Sequence, residues 1–176
     1  MKPVFEYTKG MRETELHYCP GCTHGIAHRL IMEVLEERGE KFCTFFINNA
    51  IYGMTGGQMA PTTLIGQKAT TCVEGRTVEQ AGMPMRMCEL ISCQDRAVYV
   101  ERVSLDSPAN VRKAKSAIRR AFKVQDLKLG FAFVEFLSIC PTNWGMSPLK
   151  AKQWLMDNMV PYYPLGVIKE TSAEVK

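Results

Sequence analysis

The stretch AVYVERVSLDSPANVRKAKSAIRRAFKVQDLKLGFAFVEFLSI, residues 97–139, decides the fold. It opens on Ala97–Val103, a short run of strand character. It closes on Phe131–Ile139, an almost unbroken apolar run of the kind that is covered on both faces. Between them, Ser107 and Pro108 supply an N-cap and a proline at the first helical position. The helix they open is expected to carry Val111, Ala114, Ile118, Ala121 and Phe122 inward. Arg112, Lys113, Lys115, Arg119, Arg120 and Lys123 fall on its other face. Strand, helix, strand is a right-handed crossover unit, and a crossover joins parallel strands.

The same logic extends both ways. Upstream, Phe42–Ile47 is a buried strand ending at Asn48 and Asn49. Thr23–Arg38 is a helix with Ile26, Leu30, Ile31, Val34 and Leu35 on one face and Gly39 at its C-terminal cap. Downstream, Ser147 and Pro148 repeat the capping device. They open a last helix with Ala151, Trp154, Leu155 and Met159 inward, stopped by Pro161. Ala50–Gly75 has no sustained periodicity, and a loop of that length is either functional or hides an element. The expected fold is α/β, a parallel sheet with helices on both faces. It forms one domain over residues 1–176, with an N-terminal part at 1–39 and the remainder at 40–176.

Composition agrees. At 176 residues, 46% hydrophobic and 23% charged, the chain can bury a real core, which excludes disorder. No apolar run reaches membrane-spanning length, and Lys2, Glu6 and Lys9 break up the place where a signal peptide needs its apolar core. A net charge of +4 is too mild to argue for nucleic acid. The six cations on one helix face are read first as a solvated face and second as a docking surface for an acidic partner. Seven cysteines cannot all pair internally, and with no export signal the expected compartment is the reducing cytoplasm. The cysteines are then thiols, metal ligands or core residues.

Three segments carry candidate chemistry. Cys19-Pro20-Gly21-Cys22 stands just before a helix, whose N-terminus favours thiolates. It reads as half of a zinc or iron–sulfur site, as a redox pair, or as two inert cysteines. The poor strand character of Leu16–Tyr18 leans against the redox pair. His24 and His28 lie one helical turn apart, a weak metal signal without an intervening glutamate. Asn48 to Gln58 follows a strand, where parallel sheets bind ligands. Asparagine suits magnesium, and Gly53, Gly56 and Gly57 let backbone N–H groups approach a diphosphate, or else they form an ordinary turn. Cys140 also follows a strand, on the sheet edge that carries the Asn49 loop. Alone it reads as a structural cysteine.

Together, YCPGCTHGIAHRL, INNAIYGMTGGQMAPTT, VYVERVSLDSP and FVEFLSICPTNWGMSP closely resemble the thiamine-diphosphate-binding β subunit of the 2-oxoacid:ferredoxin oxidoreductases, nearest the 2-oxoglutarate type. The matching stretches cover nearly the whole chain. The resemblance implies a thiamine-diphosphate-binding-like fold and oxidative decarboxylation of a 2-oxoacid to an acyl-CoA. It implies thiamine diphosphate, Mg²⁺ and a four-iron cluster as cofactors. The implied partners are an α subunit, further γ and δ subunits, ferredoxin and coenzyme A. By position, Asn49 would give Mg²⁺ its side-chain oxygen and Ile51 its carbonyl. Gly53, Met54 and Thr55 would contact the diphosphate. Cys19, Cys22 and Cys140 would be three of four cluster ligands.

One departure stands out. The family carries a long segment between the first helix and the Asn-Asn strand, with a Gly-Asp-Gly motif whose aspartate binds Mg²⁺ and with the remaining cluster cysteine. Here Gly39 runs straight into Glu40-Lys41-Phe42, and residues 1–49 contain seven glutamates and no aspartate. Cys43 and Cys72 do not sit in the context of the missing ligand. A parallel sheet depleted in this way is expected to expose an edge and apolar surface. The alternative function is therefore a non-catalytic, truncated or degenerate subunit that retains only partner binding.

Overall fold

The computed structural model describes residues 41–173. The Cys19 and Cys22 pair, His24, His28, the Thr23–Arg38 helix and Gly39 lie outside them.

Strands β1 (Cys43–Asn48), β2 (Ala97–Ser104) and β3 (Phe131–Leu137) are parallel and hydrogen-bonded in the order β1-β3-β2. Each coincides with an expected strand to within two residues. A fourth strand, β4 (Gly166–Glu170), pairs antiparallel with the outer side of β2. The sheet is therefore mixed, where an all-parallel one was expected. The reason is where the chain re-enters. β4 starts opposite Arg102, near the carboxyl end of β2, and runs back to Tyr99, because the preceding helical segment never crosses to the other edge.

The helices are α1 (Val78–Ala81), α2 (Met87–Ser92), α3 (Pro108–Asp126), α4 (Pro141–Trp144), α5 (Pro148–Trp154) and α6 (Val160–Tyr162), with a π-helical turn at Leu155–Met159 between the last two. Both capping serines behave as the sequence indicates. Ser107 accepts from the Asn110 N–H at 3.2 Å and Ser147 from the Lys150 N–H at 3.4 Å. Pro161 lies inside the final turn and does not end the helix before it. A proline there lacks its N–H and crowds the carbonyl four residues back, and the wider π turn just upstream supplies the needed room.

Helices cover both sheet faces. On one side α3 lays Ala114, Ala117, Ala121 and Val124 against Val98, Val103, Val134 and Phe136. These small residues bring the helix axis close to the sheet and turn it. Val111 and Phe122, expected inside, are consequently 47% and 50% exposed. Phe122 instead meets Phe45 of β1, ring centroids 5.5 Å apart. On the other side α2 packs Cys88 against Val100 and Phe133. Arg112, Lys113, Lys115, Arg119 and Lys123 are exposed on the outer face of α3, while Arg120 reaches Glu101 at 3.8 Å.

β1 has β3 on one side and, among the described residues, no strand on the other. Phe45 and Ile47 on this strand are 37% and 67% exposed, so among the described residues the sheet margin is apolar and uncovered. Among the described residues no helix is long and apolar enough to cross a membrane.

Candidate functional site

Register places the site. Asn48 and Ser104 both stand opposite Leu137, so β1, β2 and β3 release their chains at one edge. The Ser138 N–H donates to the Asn48 carbonyl at 2.9 Å, which brings the Asn49 loop and the approach to Cys140 side by side, as expected.

The loop turns back tightly on itself. The Tyr52 N–H donates to the Gln58 carbonyl at 2.9 Å and the Gly57 N–H to the Tyr52 carbonyl at 3.0 Å, leaving Gly53 to Gly56 as the tip. Met54 and Thr55 are exposed there, and the Thr55 hydroxyl donates to Gln58 Oε1 at 3.1 Å. Gly53 and Gly57 are glycines for a local reason. A Cβ at Gly53 would stand 3.0 Å from Asn143 Nδ2 and 3.3 Å from Cys140 Sγ, and one at Gly57 would stand 2.9 Å from Asn143 Oδ1. Gly57 also has a φ of 74°, which other residues avoid. Asn143 thus links the glycine loop to Cys140, and its Nδ2 donates to Cys140 Sγ at 3.1 Å.

Behind the loop lies a buried ionic network. Asn48 Nδ2 donates to Glu135 Oε1 at 2.7 Å, and Glu135 Oε2 accepts from Arg102 Nε at 2.7 Å. Arg102 also holds Glu89 through Nη2 at 2.6 Å. The side chains of Arg102 and Glu135 have no exposed surface. Burial disfavours the Glu89 carboxylate, but the Arg102 guanidinium outweighs it and keeps its pKa below the ordinary value. Burial pushes the Cys88 thiol strongly upward, and the Glu135 charge adds to this, so Cys88 is a core residue and not a nucleophile.

The donor chemistry suits a hard cation only in part. Asn49 Oδ1 and the Ile51 carbonyl are neutral oxygens, and Asn49 Oδ1 currently accepts from the Ile51 N–H at 3.3 Å. Glu135 is committed to Asn48 and Arg102. Charge for a divalent ion at this edge would come from a bound diphosphate. No group of three potential metal-ligating His, Cys, Asp or Glu side chains exists among the described residues, where Cys140 is the one expected cluster ligand present. A cleft of about 100 Å³ lies between β2 and α3, lined by Arg102, Ser104, Asn110 and Lys113 among others. It is below the size of a small-molecule site and does not include the loop.

Several known proteins are similar to this chain in sequence. The ketoisovalerate oxidoreductase subunit VorA of Methanothermobacter marburgensis is 34% identical over 246 aligned positions, covering 98% of this chain and 52% of the relative. The 2-oxoglutarate synthase subunit KorB of Methanocaldococcus jannaschii is 41% identical over 107 positions, 60% of this chain and 35% of the relative. The chain is a relative of the 2-oxoacid oxidoreductase subunits. The pyruvate synthase subunit PorB of Pyrococcus furiosus extends the kinship, at 32% identity over 115 positions, 65% of this chain and 32% of that protein. No family model matches the chain. It spans about half the length of the ketoisovalerate oxidoreductase subunits it matches. The VorA alignment has 246 positions against 176 residues here, so at least 70 positions face no residue of this chain.

Several residues that shape the site are not announced by the sequence. Asn143 lies three positions after Cys140 in a helical turn, a spacing that makes them neighbours. Asn48 and Glu135 are 87 positions apart, and no local pattern links them. Arg76, Thr63 and Gln67 are polar residues in an aperiodic loop, yet each is buried.

Proposed function

We propose that the chain is the thiamine-diphosphate-binding part of a 2-oxoacid:ferredoxin oxidoreductase, acting with an α subunit and any γ and δ subunits to convert a 2-oxoacid and coenzyme A to an acyl-CoA. The observation that carries this reading is the meeting of the Asn49 loop with Cys140 and Asn143 at one carboxyl edge of the sheet. Asn49 and Ile51 offer oxygens to Mg²⁺, and Gly53, Met54 and Thr55 face the diphosphate. Cys140, with Cys19 and Cys22, takes part in a four-iron cluster that passes electrons towards ferredoxin. Bound thiamine diphosphate supplies the carbanion stabilisation that decarboxylation of a 2-oxoacid needs. The chain's own contribution is to hold the metal and diphosphate end, with the α subunit completing the pocket. 2-Oxoglutarate is the substrate suggested by the sequence resemblance. The relatives matched over most of the chain are named for ketoisovalerate, so a branched 2-oxoacid belongs in the same assay.

A second reading has its own support. At least 70 alignment positions face no residue here, and the metal donors are neutral. A subunit lacking the Gly-Asp-Gly segment would keep partner binding and lose catalysis.

Calorimetric titration of thiamine diphosphate with Mg²⁺, into the chain alone and into its complex with the α subunit, separates the two. Saturable heat in either sample supports the first reading, and none in both supports the second. An absorbance near four hundred nanometres after anaerobic purification tests the cluster separately.

A further inference from the structure

Ala50 sits between Asn49 and Ile51 with a φ of 55° and no exposed surface. A residue with a Cβ stays in that region when its surroundings over-determine it. Three side chains do so here. The Ala50 N–H donates to Asn48 Oδ1 at 3.0 Å, and the Ala50 carbonyl accepts from Thr63 Oγ1 at 2.7 Å and from Gln67 Nε2 at 3.1 Å. Thr63 and Gln67 are themselves fixed, since Thr63 Oγ1 accepts from the Ala60 N–H at 2.8 Å and Gln67 Oε1 from the Leu64 N–H at 2.9 Å.

The segment bearing them is wrapped around a cation. Arg76 is 1% exposed, and its guanidinium donates to the carbonyls of Ala60, Pro61, Thr63, Ala81, Gly82 and Met83. Every acceptor is a backbone carbonyl, so this charge ties two stretches of backbone together, and among the described residues it pairs with no carboxylate.

We propose that Arg76, Thr63 and Gln67 are positioning residues for a divalent cation. Arg76 stiffens the loop, and Thr63 and Gln67 use that stiffness to pin the Ala50 carbonyl. The side-chain oxygen of Asn49 and the carbonyl of Ile51 are then presented together before the ion arrives. This rests on the metal-site reading above. It adds that the loop holds these two neutral donors in advance of the ion, which lowers the ordering cost of binding, while the diphosphate supplies the charge.

The test uses the full chain with any subunit that co-purifies, Mn²⁺ in place of Mg²⁺, and saturating thiamine diphosphate. Free Mn²⁺ is counted by electron paramagnetic resonance, and thermal midpoints are recorded in parallel. Thr63→Val removes the hydroxyl and should weaken Mn²⁺ binding about tenfold, the effect of one buried hydrogen bond. Thr63→Ser keeps the hydroxyl and should stay within about threefold of the parent, although it loses a buried methyl. A purely structural role would make affinity follow stability and weaken both variants alike, which overturns the proposal. Mn²⁺ binding unchanged in Thr63→Val also overturns it and leaves the metal site standing. If the valine variant does not fold, Gln67→Met decides on the same terms. Failure of the unmodified chain to bind Mn²⁺ overturns the metal site itself and the inference with it.

Discussion

Arg102→Met should be among the most damaging single substitutions in the sheet. Arg102 has no exposed side-chain surface and meets Glu135 at 2.7 Å, Glu89 at 2.6 and 3.1 Å, and the Pro164 carbonyl at 3.2 Å. Methionine fills much of the volume, so packing is a minor loss. The damage comes from Glu135, which also has no exposed side-chain surface and would keep the neutral Asn48 amide as a donor but lose its counterion. Leaving a buried charge without its counterion costs about 3–5 kcal/mol. For a chain of this length that lowers the thermal midpoint by roughly 6–20 °C. Urea titration at neutral pH, followed by the fluorescence of Trp144 and Trp154, measures it directly. The double variant Arg102→Met with Glu135→Met removes both charges and should recover at least about 1 kcal/mol relative to Arg102→Met alone. A single-variant loss under about 1 kcal/mol, or a double variant that loses the sum of the two singles, would refute the argument.

Further outcomes follow from the same geometry. Gly57→Ala places a Cβ 2.9 Å from Asn143 Oδ1 at a φ of 74°, and should cost about 1–3 kcal/mol in urea titration. Adding Asn143→Ala should return only the steric part. Glu89 has a pKa below its ordinary 4.5, so its contribution is complete above that value and is lost as pH falls through the folded pKa. The urea midpoint should drop along this acid limb, and Glu89→Gln should flatten the drop. Leu137 is fully buried whereas Ile47 is 67% exposed. Leu137→Ala should therefore cost about 2–5 kcal/mol and Ile47→Ala under about 1 kcal/mol by the same titration. Cys88 should resist a thiol reagent in native protein and label only under denaturing conditions, read by peptide mass spectrometry.

The three parallel strands and the long helix were legible because each announces itself locally. Apolar runs mark β1 and β3, and Ser107 with Pro108 marks the start of α3 within one residue. The inward face of α3 was misread at Val111 and Phe122. Size outweighed position there, since Ala114, Ala117 and Ala121 let the helix close on the sheet and push the larger residues to its margin. β4 went unread because Gly166–Glu170 is five residues long and its direction depends on where the previous helix stops. At the site, the shared sheet edge of the Asn49 loop and Cys140 was legible from strand ends alone. The struts under it were not, because hydrogen bonds such as Tyr163 to Thr62, 101 positions apart, leave no periodic trace.

The placement of β4 bears on how the chain is made. β2 is shielded on one side by β3 and on the other by β4, and the latter comes from residues 166–170. While the chain emerges from the ribosome, α3 and β3 can form their crossover with β2 soon after residue 137, yet the outer backbone of β2 stays without a partner until some thirty more residues have been added. Through that interval the nascent sheet formed by the described residues has an unpaired strand edge on each flank, at β1 and at β2. A ribosome pausing between β3 and β4 would prolong that exposure, whereas synonymous changes that speed this interval would shorten it.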